Sequence, residues 1–587
     1  MEHTEHTMKP RRVLWLAINA KYSHTSLAVR YLQAACADTD ILELTINDYL
    51  PDMLGKIYEY HPDVLGIACY IWNIELVKAL LPLLRKVLPQ TVLICGGPEV
   101  SYDAAAFLQQ FPAVDYVIRG EGEIAVATLL SYLRRGEKPL LPEGVAGRDA
   151  KGKIVIGQAV VVDDLNRLPF PYTDEDLENM KERILYYETS RGCPYACAYC
   201  LSCATRGVRY LPLPRVLQEL AIFIAHDVRQ VKFVDRTANA DNTHWLPILQ
   251  FIARQNCRTN FHFEIAADQL DDAALAVLQQ MPAGRIQLEA GIQSTNLTTL
   301  RAVHRVHHWE RLACQLRTIL RWQTMHVHVD LIIGLPEEGL VSLARSFNDA
   351  YALQPDMLQL GFLKFLKGAA MMDLAAAGDY CYMDTAPYEV LSNRWLSYGE
   401  MRWLHSFEMV FEYYYNAGRC RRTVAYLIRE AAGGDAFRFY QQFTDYWEAQ
   451  EWHHCGHAVK DLYGCLLQFA LGQYAVPRGE IDNLLRLDAL LTDGGTVRPT
   501  ILDWNRQRYQ KTTGAFWRSR LPEQYIPGYQ FHNWREIRQQ YHIEIFDYAV
   551  DTAPRQRMEK ISTAMLFVFG EKTAMPVKLP LPPLVTV

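Results

Sequence analysis

The sequence predicts an α/β protein in three parts: an N-terminal doubly wound domain, a partial (β/α)6 barrel and a mostly helical C-terminal domain. Three observations predict it. Over residues 11–140, short apolar runs that end in glycine turns alternate with amphipathic segments, the pattern of a parallel sheet wound with helices. Six more strand-sized runs follow at helix-sized intervals over residues 185–370. From 371 onward, apolar residues recur at helical spacing and aromatics are dense. A chain of 587 residues is also too long for one hydrophobic core.

In the first part, residues 13–18, 41–44, 64–68, 92–95 and 116–118 read as strands, with helices over 26–36 and 76–88. The last two strands run into Gly96-Gly97-Pro98-Glu99 and Gly120-Glu121-Gly122-Glu123. Ligands of such sheets sit at the carboxyl ends of the strands, and glycine there lets a large ligand come close. Residues 141–184, with Pro142, Gly144, Pro169 and Pro171, read as a linker that packs through its apolar stretches. The barrel strands are expected at 184–188, 230–235, 261–265, 285–289, 326–333 and 357–360. Their carboxyl ends gather Asp235, Arg236, Asn239, Glu264, Glu289, Gln293, Ser294 and Asp330, where barrel chemistry sits. A helical domain is expected over 371–575 and a loose proline-rich tail over 576–587.

The motif richest in chemistry lies just after the first barrel strand. Cys193, Cys197 and Cys200 are spaced C-x3-C-x2-C, with Tyr199 before the last cysteine. Three thiolates on one loop can hold three irons of a [4Fe–4S] cluster, which normally takes four cysteines. The fourth iron is then open to a small molecule. Cys203 extends the run to a fourth thiol, so a closed cluster or a zinc site competes with that reading.

This loop resembles the signature of radical S-adenosylmethionine enzymes. The resemblance implies that the open iron chelates the methionine amine and carboxylate of S-adenosylmethionine, and that an electron from the cluster cleaves the sulfonium to a 5′-deoxyadenosyl radical. Gly291-Ile292-Gln293-Ser294 and Asp330-Leu331-Ile332-Ile333-Gly334-Leu335-Pro336 resemble two later motifs of the same family. By that resemblance Tyr199, Asp235, Glu264, Glu289, Gln293, Ser294 and Gly334 are candidate contacts to S-adenosylmethionine. The chain has Val234-Asp235-Arg236-Thr237 where the family often has Gly-Gly-Glu.

Residues 11–140 resemble the cobalamin-binding domain that precedes many radical enzymes of this family. The resemblance implies a cobalamin site at Tyr70, Trp72, Asn73, Gly96, Gly97, Pro98, Glu99, Gly120, Glu121 and Gly122. The D-x-H-x-x-G motif that brings a histidine to cobalt is absent, and His24 stands in a different context. The expected activity is radical chemistry on an unactivated carbon of a small molecule, most often methyl transfer in this family, with a flavodoxin or ferredoxin as reductant. No catalytic residue is assigned. Cyclisation, oxidation or rearrangement stays open, as does a non-catalytic iron–sulfur or zinc protein.

Composition narrows the setting. A net charge of −6 gives no global basic field for nucleic acid, although a local patch is left open. No apolar run reaches the length of a membrane span, and the polar start MEHTEHTMKPRR has no signal-peptide core. Thirteen cysteines without a regular framework point to a reducing cytoplasm. The run His453-His454-Cys455-Gly456-His457 has metal-ligand residue types, and Arg419, Arg421 and Arg422 form a basic cluster suited to an anion.

Overall fold

The computed structural model describes residues 12–135, 141–204, 207–504, 508–550, 558–569 and 575–579. The chain divides into two units: Met1–Ser346 with Leu353–Tyr398, and Phe347–Ala352 with Gly399–Val587.

Among the described residues, the first unit is built on two large sheets, with two short hairpins beside them. The N-terminal sheet is built from β1 (Val13–Asn19), β2 (Thr39–Thr45), β3 (Val64–Ala68), β4 (Val92–Gly96), β5 (Tyr116–Ile118), β6 (Val145–Arg148) and β7 (Ile154–Ile156), in the order β2-β1-β3-β4-β5-β6-β7. β1 lies parallel to both β2 and β3, and all seven of its residues are buried, which is why its sequence is a continuous apolar run rather than an alternation. One face packs Leu14, Leu16, Leu65 and Ile67 against Val77, Leu80 and Leu84, residues at helical spacing on the helix Ile74–Val87. The other packs Trp15 and Ala17 against Val126 and Leu129. A Cβ at Gly66 would lie 2.3 Å from the Trp15 ring, so only glycine leaves room for that indole. The start of the expected linker is part of this domain: β6 pairs antiparallel with β5, and β7 antiparallel with β6. Their backbone groups complete an edge that five parallel strands leave open.

The second sheet follows the six expected strands. β8 (Ile184–Tyr187) leads into a hairpin, β9 (Ser190–Cys193) and β10 (Gly207–Tyr210), and then come β11 (Gln230–Phe233), β12 (Asn260–Ile265), β13 (Ile286–Gln293), β14 (His326–Ile333) and β15 (Met357–Phe362). The order β15-β14-β13-β12-β11-β8 is parallel throughout. One side of each strand is apolar and buried, as with Val231, Phe261, Phe263, Leu288, Val327 and Val329. The alternate residues Lys232, His262, Glu264, Glu289, His328 and Asp330 are polar and in neighbouring registers, so the concave face of the sheet is a charged lumen. This unit continues through a small hairpin, β16 (Cys381–Tyr382) and β17 (Val390–Ser392), to Tyr398, beyond the boundary expected near 371.

The second unit has a core of aromatic rings on helices; Phe443 stacks on Phe469 at 4.4 Å and Phe407 on Phe437 at 4.9 Å. Its helix Arg478–Leu491 is buried on nearly every side, polar residues included. Each buried charge on it has a partner. Arg486 pairs with Asp482 at 2.9 Å and with Glu544, Glu480 accepts from the Tyr426 hydroxyl, and Asp488 accepts from the Thr423 amide and hydroxyl. Replacing Arg486 with Met should lower the stability of this unit by about 3–5 kcal/mol, because two buried carboxylates lose their cation. An unchanged urea midpoint would show that the network contributes nothing.

Helices are not the whole of this unit. β18 (Tyr541–Phe546), β19 (Thr563–Val568) and β20 (Met575–Leu579) form an antiparallel sheet. The start of the expected loose tail is therefore a strand. Pro576 is tolerated because β20 lies at the sheet's edge, where a missing N–H breaks no second ladder. Residues 580–587 lie outside the described residues.

Candidate functional site

The cysteine loop springs from β9 at the carboxyl end of β8. Cys193 and Cys200 are half-buried and Cys197 is buried, all as free thiols. The loop is pinned at Ala198, whose amide donates to the Val303 carbonyl at 2.9 Å and whose carbonyl accepts from the Met371 amide at 2.8 Å. The side chain of Cys203 lies outside the described residues. Arg305 was not singled out by the sequence. Its guanidinium sits 3.9 Å from the Cys197 sulfur, donates to the Gly291 carbonyl at 2.7 Å and covers the Tyr195 ring at 5.7 Å. Nothing in His304-Arg305-Val306 marks it; only the return of the chain under the loop brings it there. Its buried Nε and the buried hydroxyl of Tyr199 have no hydrogen-bond partner among the described residues, and unpaired buried polar atoms are costly unless a ligand meets them.

The expected S-adenosylmethionine contacts divide into two groups. Asp235 is 1 % exposed, and its carboxylate is consumed by the Thr189 amide at 2.9 Å and the hydroxyls of Thr189 and Ser190. It braces the start of the cysteine loop instead of facing a ligand. Ser294 is fully buried and donates to Glu338 at 2.7 Å. The Gly334 carbonyl accepts from Tyr380 and Asn393. Glu289 lies 3.2 Å from the Lys232 ammonium and 2.9 Å from His262. These four are engaged by the protein itself. The second group is open. Gln293, at positive φ in a β-bulge, has a buried Oε1 without a partner. Glu264 makes no hydrogen bond among the described residues and faces the lumen beside Glu289.

Burial pushes the Glu264 carboxyl up to about 7, against the pull of Arg236. Glu289 is buried too, but His262 and Lys232 hold it down at about 2. The signs differ. A raised carboxyl pKa destabilises the fold once the group ionises, so the Glu264 penalty is absent well below pH 4.5 and complete above about pH 7. Replacing Glu264 with Gln should therefore raise the melting temperature of the cofactor-free chain at pH 8, by the equivalent of about 1–3 kcal/mol, and leave it unchanged near pH 4. Equal shifts at both pH values would refute this.

At the carboxyl edge of the first sheet, Tyr70 stacks on Trp72 at 4.4 Å with 5° between the planes. Trp72 remains 45 % exposed, and Tyr102, in the same domain, 43 %. A half-exposed indole at strand ends suits a flat, partly apolar ligand. The other residues expected at this edge hold the fold together. Asn73 uses its amide on the carbonyls of Ile18 and Ala68. Glu99 accepts from the Tyr388 hydroxyl at 2.7 Å. A Cβ on Gly97, at φ +109°, would strike the Cys69 carbonyl at 2.4 Å, and one on Gly120 the Val160 carbonyl at 2.2 Å. These glycines thus admit backbone. Gly96 closes β4, and Pro98 and Gly122 open the helices that follow β4 and β5. His24 Nδ1 shares a hydrogen bond with the Tyr186 hydroxyl.

Glu121 joins the two halves of this unit. It accepts from Arg191 at 3.1 Å, Arg209 at 2.6 Å and the Val162 amide at 2.7 Å. Arg191, two residues before Cys193, also binds Glu123 at 2.6 Å and Glu188 at 2.7 Å. The Gly-Glu-Gly-Glu motif thereby meets the root of the cysteine loop. Tyr102 packs over Gly368, and after burial the Cys200 sulfur is what raises its hydroxyl. Three residues after Gly368, the Met371 amide donates to the Ala198 carbonyl at 2.8 Å, so one segment touches both Tyr102 and the cysteine loop.

In the second unit, the His457 Nε2 donates to the Trp452 carbonyl at 2.8 Å, so the His/Cys run is tied to its own turn. The Arg421 guanidinium lies over the Tyr415 ring at 5.9 Å. No helix among the described residues is long and apolar enough to cross a membrane.

Comparisons with known proteins agree with this geometry. The family described as B12 binding domain matches residues 14–130, and the family described as Protein of unknown function (DUF4080) matches residues 378–567. The chain is 28% identical over 309 residues to the cobalamin-dependent radical SAM methyltransferase TokK of Streptomyces tokunonensis, covering 49% of this chain and 44% of that protein. It is 27% identical over 268 residues to a hopanoid C-3 methylase of Methylococcus capsulatus, covering 42% of this chain and 48% of that protein. The chain thus spans less than half the length of these relatives. Among solved structures, the radical S-adenosylmethionine methyltransferase TsrM of Kitasatospora setae, with cobalamin and a [4Fe–4S] cluster bound, aligns with a TM-score of 0.53 at 16% identity, over 65% of this chain and 76% of that one. The cobalamin-dependent radical enzyme OxsB, with aqua-cobalamin and S-adenosylmethionine bound, aligns with a TM-score of 0.55 at 13% identity, over 82% of this chain and 81% of that one. The likeness to both is one of fold.

Proposed function

We propose that this chain, built on the fold of the cobalamin-binding-domain-containing radical S-adenosylmethionine family and similar in sequence to its methyltransferases, is itself a cobalamin-dependent radical S-adenosylmethionine enzyme that methylates a small molecule. The observation that carries this reading is the contact of the Gly-Glu-Gly-Glu turn with the root of the cysteine loop, where Glu121 and Glu123 hold Arg191 two residues before Cys193. When bound, a [4Fe–4S] cluster with S-adenosylmethionine supplies one-electron bond cleavage, and cobalamin supplies a methyl group, chemistry that belongs to the cofactors.

The chain's own residues bind, orient and shield. Cys193, Cys197 and Cys200 are the cluster ligands, and Asp235 and Ala198 hold their loop in shape. Tyr199, Glu264 and Gln293 offer polar atoms toward S-adenosylmethionine. Arg305 places a fixed positive charge beside the Cys197 sulfur, where it stabilises the thiolate and the added electron. The stacked Tyr70 and Trp72 rings would help to hold cobalamin at this edge through apolar contact. The substrate is a small molecule, and a flavodoxin or ferredoxin in the cytoplasm is the reductant.

The test is anaerobic reconstitution with iron, sulfide and cobalamin. About four irons and four sulfides per chain are expected, with cleavage of S-adenosylmethionine after reduction and transfer of a labelled methyl group to a metabolite. A chain that holds zinc on these thiols and never cleaves S-adenosylmethionine overturns the reading.

A further inference from the structure

The lumen of the parallel sheet holds a second group of metal-ligand residue types, separate from the cysteine loop. Glu289 on β13 and His328 and Asp330 on β14 each offer one donor atom, and these atoms all lie within 4.8 Å of one another. His328 Nδ1 is 3.8 Å from Glu289 Oε2, and His328 Nε2 is 3.0 Å from Asp330 Oδ1. From β12, His262 Nε2 comes to 2.9 Å from the same Glu289 oxygen. Parallel pairing sets this convergence: Glu289 is the register partner of His328, and His262 enters one step away on the next strand.

Close approach alone would describe an ordinary hydrogen-bonded cluster. The directions say otherwise. His262 and His328 are 5 % and 7 % exposed, and the Nε2 atom of each is buried without a hydrogen-bond partner. Each ring nitrogen is near a carboxylate oxygen but is not aligned to donate to it. Polar atoms buried in this way without a hydrogen bond among the described residues are ones that a bound cation would satisfy. One imidazole and two carboxylates are ligand types of zinc and its neighbours in the first transition row.

We propose that Glu289, His328 and Asp330 form a lumen site for a divalent transition ion of the zinc class, with His262 beside Glu289 as the neighbour that orients its carboxylate. Lys232, with its ammonium 3.2 Å from Glu289, is the competing cation and occupies the same charge when no ion is bound. The site stands apart from the proposed cluster, because none of its donors is a thiol.

The test is X-ray absorption at the zinc edge on the full chain, reconstituted anaerobically with iron and sulfide and then equilibrated with zinc and dialysed. About one zinc per chain is expected, with only nitrogen and oxygen neighbours at about 2.0–2.1 Å. His328→Ala and Asp330→Asn should bring zinc to background, while Lys232→Met should tighten binding by about tenfold, since a like charge leaves the site. Zinc with sulfur neighbours near ~2.3 Å, or no retained zinc, overturns the proposal on the unaltered chain, whether or not the variants fold. Failure of S-adenosylmethionine cleavage would bear on the cluster reading and leave this result untouched.

Discussion

Cys197→Ala should abolish cluster assembly and, with it, reductive cleavage of S-adenosylmethionine. Cys197 is the most buried of the three thiols, at 4 % exposure, and it lies in the pinned centre of the loop, where neither solvent nor another described cysteine can take its place. Iron and sulfide should fall from about four each per chain toward zero. The melting temperature of the cofactor-free chain should change little, since a buried thiol exchanged for a methyl group loses only modest packing. A variant that retains four irons would show that Cys203 or another thiol completes the cluster, and the open-iron reading would fall.

Arg191→Met should have the largest effect on the stability of the first unit. Arg191 is the shared cation of Glu121, Glu123 and Glu188, and its side chain is 13 % exposed. Removing it leaves Glu123 and Glu188 close together, buried and unpaired, a change that typically costs about 3–5 kcal/mol. Burial already raises the Glu188 carboxyl, with Arg191 opposing. Without the arginine that carboxyl should rise further, so the variant should recover stability as pH falls toward 5, the sign expected when protonation relieves a buried charge. Arg191→Lys should restore only part of the loss, because one ammonium cannot serve three carboxylates as a guanidinium fork does. A denaturation midpoint that is unchanged at pH 8, or a loss that does not shrink at pH 5, would rule out this role. The root of the cysteine loop depends on the same arginine, so cluster content should fall in parallel with stability.

Much of the architecture is legible in the chain. Continuous apolar runs such as Val13–Asn19 can only be strands covered on both faces, and the six barrel strands lie within a few residues of their expected places. The cysteine loop is equally plain, because three ligands on eight residues need no tertiary folding to be near each other. Contacts at a distance were less accessible. Asp235, Asn73, Glu99 and Glu121 have the residue types of ligand contacts and stand next to the right motifs, yet their hydrogen bonds go to Thr189, Ile18, Tyr388 and Arg191. A polar side chain at a strand end can face a ligand or brace the neighbouring loop, and sequence position is the same in both cases.

By itself, the sequence determined the order of strands and helices, the thiolate loop and the aromatic residues of the first sheet's edge, because these follow from local periodicity and from spacing within one loop. Only the tertiary structure decided which polar groups remain open. Arg305 reaches Cys197 across 108 residues, and His262, Glu289, His328 and Asp330 meet because three strands run parallel in one register. The same holds for the strand at Met575–Leu579, which exists only because β19 offers it an edge. Register and burial are properties of paired strands, and no single segment carries them before it pairs.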